Sequence, residues 1–172
     1  MARIGILGGS FNPVHHGHLL MAELAHDKMR LDQVVFIPAN CSPFKSLGQL
    51  PSGQHRLNMI KAAIAGNAHF SVSDLELKRG GPSYTIDTLR VLRQENPKAK
   101  LFWIIGEDNI TGLKSWKNFD EIISLASFVA ISRLWFNISS SEIRRRLKQK
   151  RSIRYMAPDR VVEYINTHKL YQ

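Results

Sequence analysis

RIGILGGSFNPVHHGHLLMAELAHDKM, residues 3–29, is the stretch whose reading decides the fold. RIGIL (3–7) is a short apolar run suited to a buried strand, and Gly8-Gly9 end it. From Gly17 to Met29 the pattern turns helical: Leu20 and Leu24 share a face, with Met21, Ala25 and Met29 beside them. A strand that runs through glycines straight into a helix aims backbone N–H groups and the positive end of the helix at one spot. Gly8 and Gly9 let a bulky group come close to the backbone. His15 and His18, three apart near the first helical turn, can face that spot, whereas His16 points away. The segment therefore reads as an anion site with two imidazoles above it.

Working outward, QVVFIP (33–38) is β-branched and stopped by Pro38, a second strand. A loop rich in Ser, Pro, Gly and Gln covers 39–54, and a helix follows at about 55–65. HFSVSD (69–74) alternates like a strand, LFWIIG (101–106) is wholly apolar, and FVAIS (128–132) is another strand. SYTIDTLRVLRQE (83–95) places Ile86, Leu89 and Leu92 at helical spacing, with N-cap chemistry in its Ser-Tyr-Thr start. Helices at about 140–149 and 158–167 complete the pattern. Strands alternating with helices predict an α/β, Rossmann-like, doubly wound parallel sheet with helices on both faces. Ligands of such sheets bind beyond the carboxyl ends of the strands. No repeat or low-complexity linker interrupts the chain, so 1–172 reads as a single domain whose C-terminal helical part begins at about 139.

One stretch resists this pattern. FVAISR is followed at once by LWFNI, with neither a crossover nor a hairpin turn between them. Either 134–138 is not a strand, or residues between Arg133 and Leu134 are absent from the chain; the second is the expectation.

Composition narrows the classes. One cysteine, Cys41, excludes an internal disulfide framework and a Cys-rich zinc site. The apolar run of MARIGILGGSF breaks too early for a signal peptide, and no stretch is long enough for a membrane span. A cytoplasmic protein without a membrane partner is expected. The 24 Lys and Arg against 14 Asp and Glu, a formal charge of +10, favour anionic partners. EIRRRLKQKRSIR (142–154) concentrates that charge, but Arg144 falls on a different helical face from Arg145 and Arg146. Aromatic platforms for single strands are also missing, so no nucleic-acid partner is expected. Zinc at the histidines lacks an obvious further ligand nearby, so no protein-held metal is expected. The loop has neither the Lys-Ser/Thr of a P-loop nor GxGxxG.

GSFNPVHHGH (9–18) closely resembles the nucleotidyltransferase signature with its HxGH motif, and ISSSEIRRRL (138–147) resembles the ISSTxIR motif of the same superfamily, with Ser141 where Thr is common. Ser139 with Glu142 would also make a capping box. PANCSPFK (38–45), HRLNMI (55–60), GGPSYTIDTL (80–89), IIGEDN (104–109), LKSW (113–116) and IRYMAPDRVVEYINTHKLY (153–171) extend the likeness to the bacterial nicotinate mononucleotide adenylyltransferases over nearly the whole chain. Phosphopantetheine adenylyltransferases share the histidine motif but would not be expected to carry GPSYTIDTL or this ending.

The resemblance implies transfer of AMP from ATP to nicotinate mononucleotide, with release of pyrophosphate and no covalent enzyme intermediate. It implies that His15, His18 and Arg144 are catalytic. Gly8, Gly9, Ser10, Phe11, Gly106, Asp108, Arg133, Ser139 and Ser140 would join them around ATP. Asn40, Lys45, Tyr84 and Thr85 would surround the acceptor, with Trp116 stacked on its pyridine ring. Mg²⁺ would arrive on the ATP phosphates. Phe44 departs from the family's Pro-His-Lys and removes a polar contact near the acceptor, and the join at Arg133 borders the adenine side. The preference for nicotinate over nicotinamide rests on resemblance only. Oligomeric state has no signature here, so a homo-oligomer stays open.

Overall fold

Five strands form one parallel sheet among the residues that the computed structural model describes, which are 1–43, 50–132 and 138–171. They are β1 (Arg3–Gly9), β2 (Gln33–Pro38), β3 (Phe70–Val72), β4 (Lys100–Gly106) and β5 (Ser127–Ile131), in the order β3-β2-β1-β4-β5. The helices are α1 (His16–Met29), α2 (Gly53–Ile64), α3 (Leu75–Arg79), α4 (Thr85–Glu95), α5 (Phe119–Leu125), α6 (Ser140–Lys148) and α7 (Asp159–Thr167). A 3₁₀ segment, Glu107–Ser115, follows β4. The fold class read from the alternation is the one observed.

A parallel sheet is covered on both faces, which is why β2 and β4 read as continuous apolar runs. Alternation along the strands then sorts side chains between two cores. Leu7, Phe36, Phe102 and Ile104 point to the side of α1, α2, α6 and α7, where they meet Met21, Ala25, Ile60, Ile143 and Ile165. Ile4, Ile6, Trp103 and Ile105 point to the other side, against Ile86 and Leu89 of α4 and Ile122 of α5. Register is in step through the centre: Ile6 lies opposite Val35 of β2 and Trp103 of β4. Gly5 is part of that fit, since a Cβ there would meet Leu31 at 2.6 Å.

Several local expectations need correction. In α1 the inward face is Met21, Ala22 and Ala25, while Leu24 is 40% exposed. The helix is apolar around much of its circumference, so spacing alone does not choose the buried side. The N-cap of α4 is Tyr84, without a side-chain capping bond; Ser83 instead accepts from Asn40 N at 2.9 Å. Helices α3 and α5 and the 3₁₀ segment have no counterpart in the sequence-based reading. They are short, and short helices carry too few periodic positions to register. The suspected gap after Arg133 and the strand-like 134–137 lie outside the described residues. No described helix is long and apolar enough to cross a membrane.

Helix α6 brings the second signature segment to the sheet, and it rests on a single fully buried side chain, Ile143. Ile143→Ala is expected to lower the unfolding free energy by about 2–5 kcal/mol, as buried isoleucine truncations do. Urea denaturation followed by far-UV dichroism checks this.

Candidate active site

The chain leaves β1 toward one face of the sheet and β4 toward the other, which opens a crevice beyond their carboxyl ends. A cleft of about 1160 Å³ occupies that place. Gly8, Gly9 and Ser10 at the end of β1, Gly106 at the end of β4 and Asp108 in the 3₁₀ segment line it.

The two histidines sit where α1 begins. His15 is its N-cap, 4% exposed, and His18 stands one turn in. Their rings stack with centroids 3.8 Å apart and planes 28° from parallel, and both line the cleft. The His15 amide donates to His18 Nδ1 at 3.3 Å. That bond makes Nδ1 the acceptor, so the neutral ring carries its proton on Nε2. Gly17 leaves room for the stack, since a Cβ there would lie a tight 3.0 Å from the His15 ring. His16 is exposed and faces a different groove, as expected. Phe11 is fully buried in the left-handed region, at φ 44, and meets His18 edge-on at 4.9 Å. It supports the histidine from below and is not among the residues lining the cleft. Gly8 also has another use than expected: a Cβ there would strike Trp103 at 2.9 Å, so its missing side chain makes room for the indole.

The loop between β1 and α1 is held by its carbonyls. Arg144 Nη1 donates to Asn12 O at 2.7 Å, and Ser140 Oγ donates to Pro13 O at 2.9 Å. Ser139 caps α6 by accepting from Glu142 N at 3.2 Å. The other half of the expected capping box is not formed, because the Glu142 carboxylate receives Arg145 at 2.8 Å on each oxygen. Those bonds hold the Glu142 carboxyl below its ordinary range, with Arg146 and Arg151 adding to the effect. Arg145 and Arg146 thus serve Glu142, while Arg144, on another face, enters the cleft.

From the opposite side comes Arg56 of α2, 2% exposed, which donates to Ser10 O at 3.0 Å and Ala39 O at 2.6 Å. Burial draws its pKa below the usual arginine value, with nearby Tyr171 opposing. Sequence reasoning assigns Arg56 no role; HRLNMI enters only as part of a resemblance, and one arginine in a helix has no pattern to betray it.

At the other end of the cleft lie Thr85, Trp116 and two residues not anticipated, Glu76 and Ser83. Trp116 is partly buried and meets Phe128 edge-on at 5.9 Å. Thr88 donates to buried Glu76 at 2.6 Å beneath this wall. Asn40 does not line the cleft; its Nδ2 donates to Gly81 O at 3.0 Å, and with Ser83 it ties the loop after β2 to the GGPSYT turn. Tyr84 is likewise outside the lining, beneath the Lys117 ammonium at 4.3 Å. Lys45 and Arg133 lie outside the described residues. Among the described residues no group of three or more His, Cys, Asp and Glu gathers to hold a metal. Arg144, Lys148, Lys169 and the two histidines outnumber Glu76 and Asp108 in the lining, which suits polyanionic ligands.

Known proteins match this arrangement along its length. Residues 6–146 fit the family model described as Cytidylyltransferase-like. A relative in Synechococcus sp. (strain JA-3-3Ab), named "Probable nicotinate-nucleotide adenylyltransferase", is 41% identical over 98% of this chain and 94% of its own. One of the same name in Bacillus licheniformis is 37% identical over 100% of both chains. That alignment runs over 188 positions against the 172 residues here, so some residues of the relative lie opposite gaps in this chain. A solved structure of Plasmodium falciparum nicotinic acid mononucleotide adenylyltransferase complexed with NaAD superposes with a TM-score of 0.80 at 21% identity, covering 99% of this chain and 98% of that one, a likeness of fold.

Arg56→Ala strips the donor from three carbonyls, Ser10 O, Ala39 O and Pro51 O. It is expected to cost about 2–4 kcal/mol in urea denaturation. Arg56→Lys, with one ammonium in place of the fork, recovers less than half of that.

Proposed function

This chain belongs to the cytidylyltransferase-like family and, within it, to the nicotinate-nucleotide adenylyltransferases, and from that premise we propose how its cleft carries out the transfer. The reaction joins the AMP moiety of ATP to nicotinate mononucleotide in the synthesis of NAD. An oxygen of the acceptor's phosphate attacks the α-phosphorus in line. The bond from that phosphorus to the bridging oxygen breaks, and pyrophosphate leaves with the electron pair. The acceptor phosphate is largely ionised at neutral pH, its second pKa being about 6, so a general base has little to add.

The protein supplies placement, and countercharge for the negative charge spreading over the phosphates. The observation that carries this reading is the stacked His15–His18 pair at the start of α1, opposite Arg144 across the same loop. His18, with Nδ1 engaged by the backbone, offers Nε2–H to a phosphate oxygen. Ser10 and Ser139 offer further donors beside it, Ser140 being engaged with Pro13 O, and the amino ends of α1 and α6 add their dipoles. The adenosine part lies over Gly106 and Asp108 at the end of β4. The acceptor takes the opposite end, with Thr85 and the Trp116 ring as its walls.

Asn40 and Tyr84, which do not reach the cleft, act on the acceptor by shaping the turn at 80–85. Lys45 and Arg133 keep the roles the resemblance implies. No carboxylate cluster among the described residues would hold Mg²⁺, so the ion would arrive on the phosphates of ATP and would there neutralise charge on the triphosphate.

Pyrophosphate release from ATP and Mg²⁺ is the test, with nicotinate mononucleotide, nicotinamide mononucleotide and phosphopantetheine offered in parallel. Release is expected with the nicotinate compound and is expected to fall at least about a hundredfold in His18→Ala. Release with phosphopantetheine alone would move the enzyme to another acceptor within the superfamily.

A further inference from the structure

Helix α3 carries a carboxylate that the reaction has not yet used. Glu76 is 4% exposed, yet it lines the cleft. Thr88 of α4, fully buried, donates its hydroxyl proton to Glu76 Oε1 at 2.6 Å. Nη1 and Nη2 of Arg79 both donate to that same hydroxyl oxygen at 3.2 Å. The direction of this chain is forced. A guanidinium only donates, a hydroxyl has one proton to give, and a carboxylate only accepts. Arg79 thus polarises the hydroxyl that holds one oxygen of Glu76.

The same bonds span the wall of the cleft. Glu76 and Arg79 stand before the turn at 80–85 and Thr88 just after it, so their bonds close the turn like a clasp. Thr85, less than one helical turn before Thr88, lines the cleft, as does Trp116. Leu75, next to Glu76 in sequence, packs against the same core as Tyr84 and Trp116. Glu76 therefore belongs to the acceptor end, whereas Asp108, the other acidic residue of the lining, follows β4.

A carboxylate offers about four lone-pair sites on its two oxygens, and buried ones are ordinarily filled. Here only Oε1 is engaged. Among the described residues Oε2 makes no hydrogen bond and Glu76 forms no ion pair. Nor is Oε2 one of the buried atoms shut away from every partner, so it is open to the cleft. A ligand that completes it must bring a proton donor. On nicotinate mononucleotide near neutral pH the pyridine carboxylate and the largely ionised phosphate accept, and the ribose hydroxyls donate. Either anionic end would be repelled by Glu76. Resting on the acceptor assigned above, we propose that Glu76 binds the acceptor's ribose, its Oε2 accepting a hydrogen bond from a sugar hydroxyl. The Arg79–Thr88 pair fixes the carboxylate for that contact before the nucleotide arrives.

Calorimetry tests this with nicotinate mononucleotide and its 2′-deoxy and 3′-deoxy forms, each titrated in the presence of a non-hydrolysable ATP analogue. The wild type is expected to bind at least one deoxy form about tenfold more weakly, as loss of a hydrogen bond to a charged group entails. Glu76→Gln keeps an oxygen for Thr88 but puts an amide NH₂ in place of Oε2. It is expected to bind the parent nucleotide about tenfold more weakly and to show no further loss with that deoxy form. Its affinity for the ATP analogue is expected to be unchanged. Full-strength binding of both deoxy forms by the wild type would overturn the proposal, and this arm does not depend on the variant's folding. So would losses that multiply in the variant, or a loss confined to the ATP analogue, which would move the contact to the other ribose. Failure of the wild type to bind nicotinate mononucleotide at all would overturn the acceptor assignment, and the ribose contact with it.

Discussion

Three carbonyl oxygens in four consecutive residues carry the architecture of this site. Ser10 O, Asn12 O and Pro13 O accept from Arg56, Arg144 and Ser140, side chains that come from two different helices. Backbone acceptors in a buried loop need donors, and here the donors double as the means of fixing a glycine-rich connection in one shape. The histidine stack depends on that shape. So does the approach of α6, whose amino end can face the crevice only while Ser140 and Arg144 stay anchored to the loop. The sheet supplies a place for ligand binding, and these bonds make it a site.

Charge follows the same logic. The excess of basic residues reads in the sequence as a general attraction for anions. In the fold it is divided into distinct tasks. Arg56 is almost wholly internal and speaks only to carbonyls, Arg145 and Arg146 are engaged by Glu142, and Arg144 alone of the arginine run lines the cleft. Three neighbouring arginines in one helix thus divide between two tasks, and helical geometry separates Arg144 from the other two.

Much of this is legible in residues 3–29 and 138–147. The strand–glycine–helix order implies the sheet and its crevice, and the spacing of His15 and His18 implies their meeting. Ser139, Ser140 and Arg144 line the cleft together with the two histidines. The hidden contacts have a common cause: they join residues far apart in sequence and leave no periodic trace. Arg56 meets Ser10 across 46 positions, and Trp103 takes the space that Gly8 leaves. Gly8 reads as room for a ligand because a glycine shows only that something comes close, and not what. Phe11 and Asn40 sit in the right segments but support the site from behind its surface, a distinction that depends on side-chain direction.

The glycine between the two histidines gives the motif a grammar. Position 17 contributes no side chain, yet its emptiness is the volume into which the His15 ring tilts to lie on His18. Function here is encoded by an omission as firmly as by a residue. A lineage could exchange the chemistry of either imidazole and still fold around the gap. Were the gap filled, both imidazoles would remain in the sequence while the His15 ring would have to give way by a few tenths of an ångström. Searches that score only the reactive letters would count such a chain as unchanged, whereas reading the silent position would show where the stack is crowded.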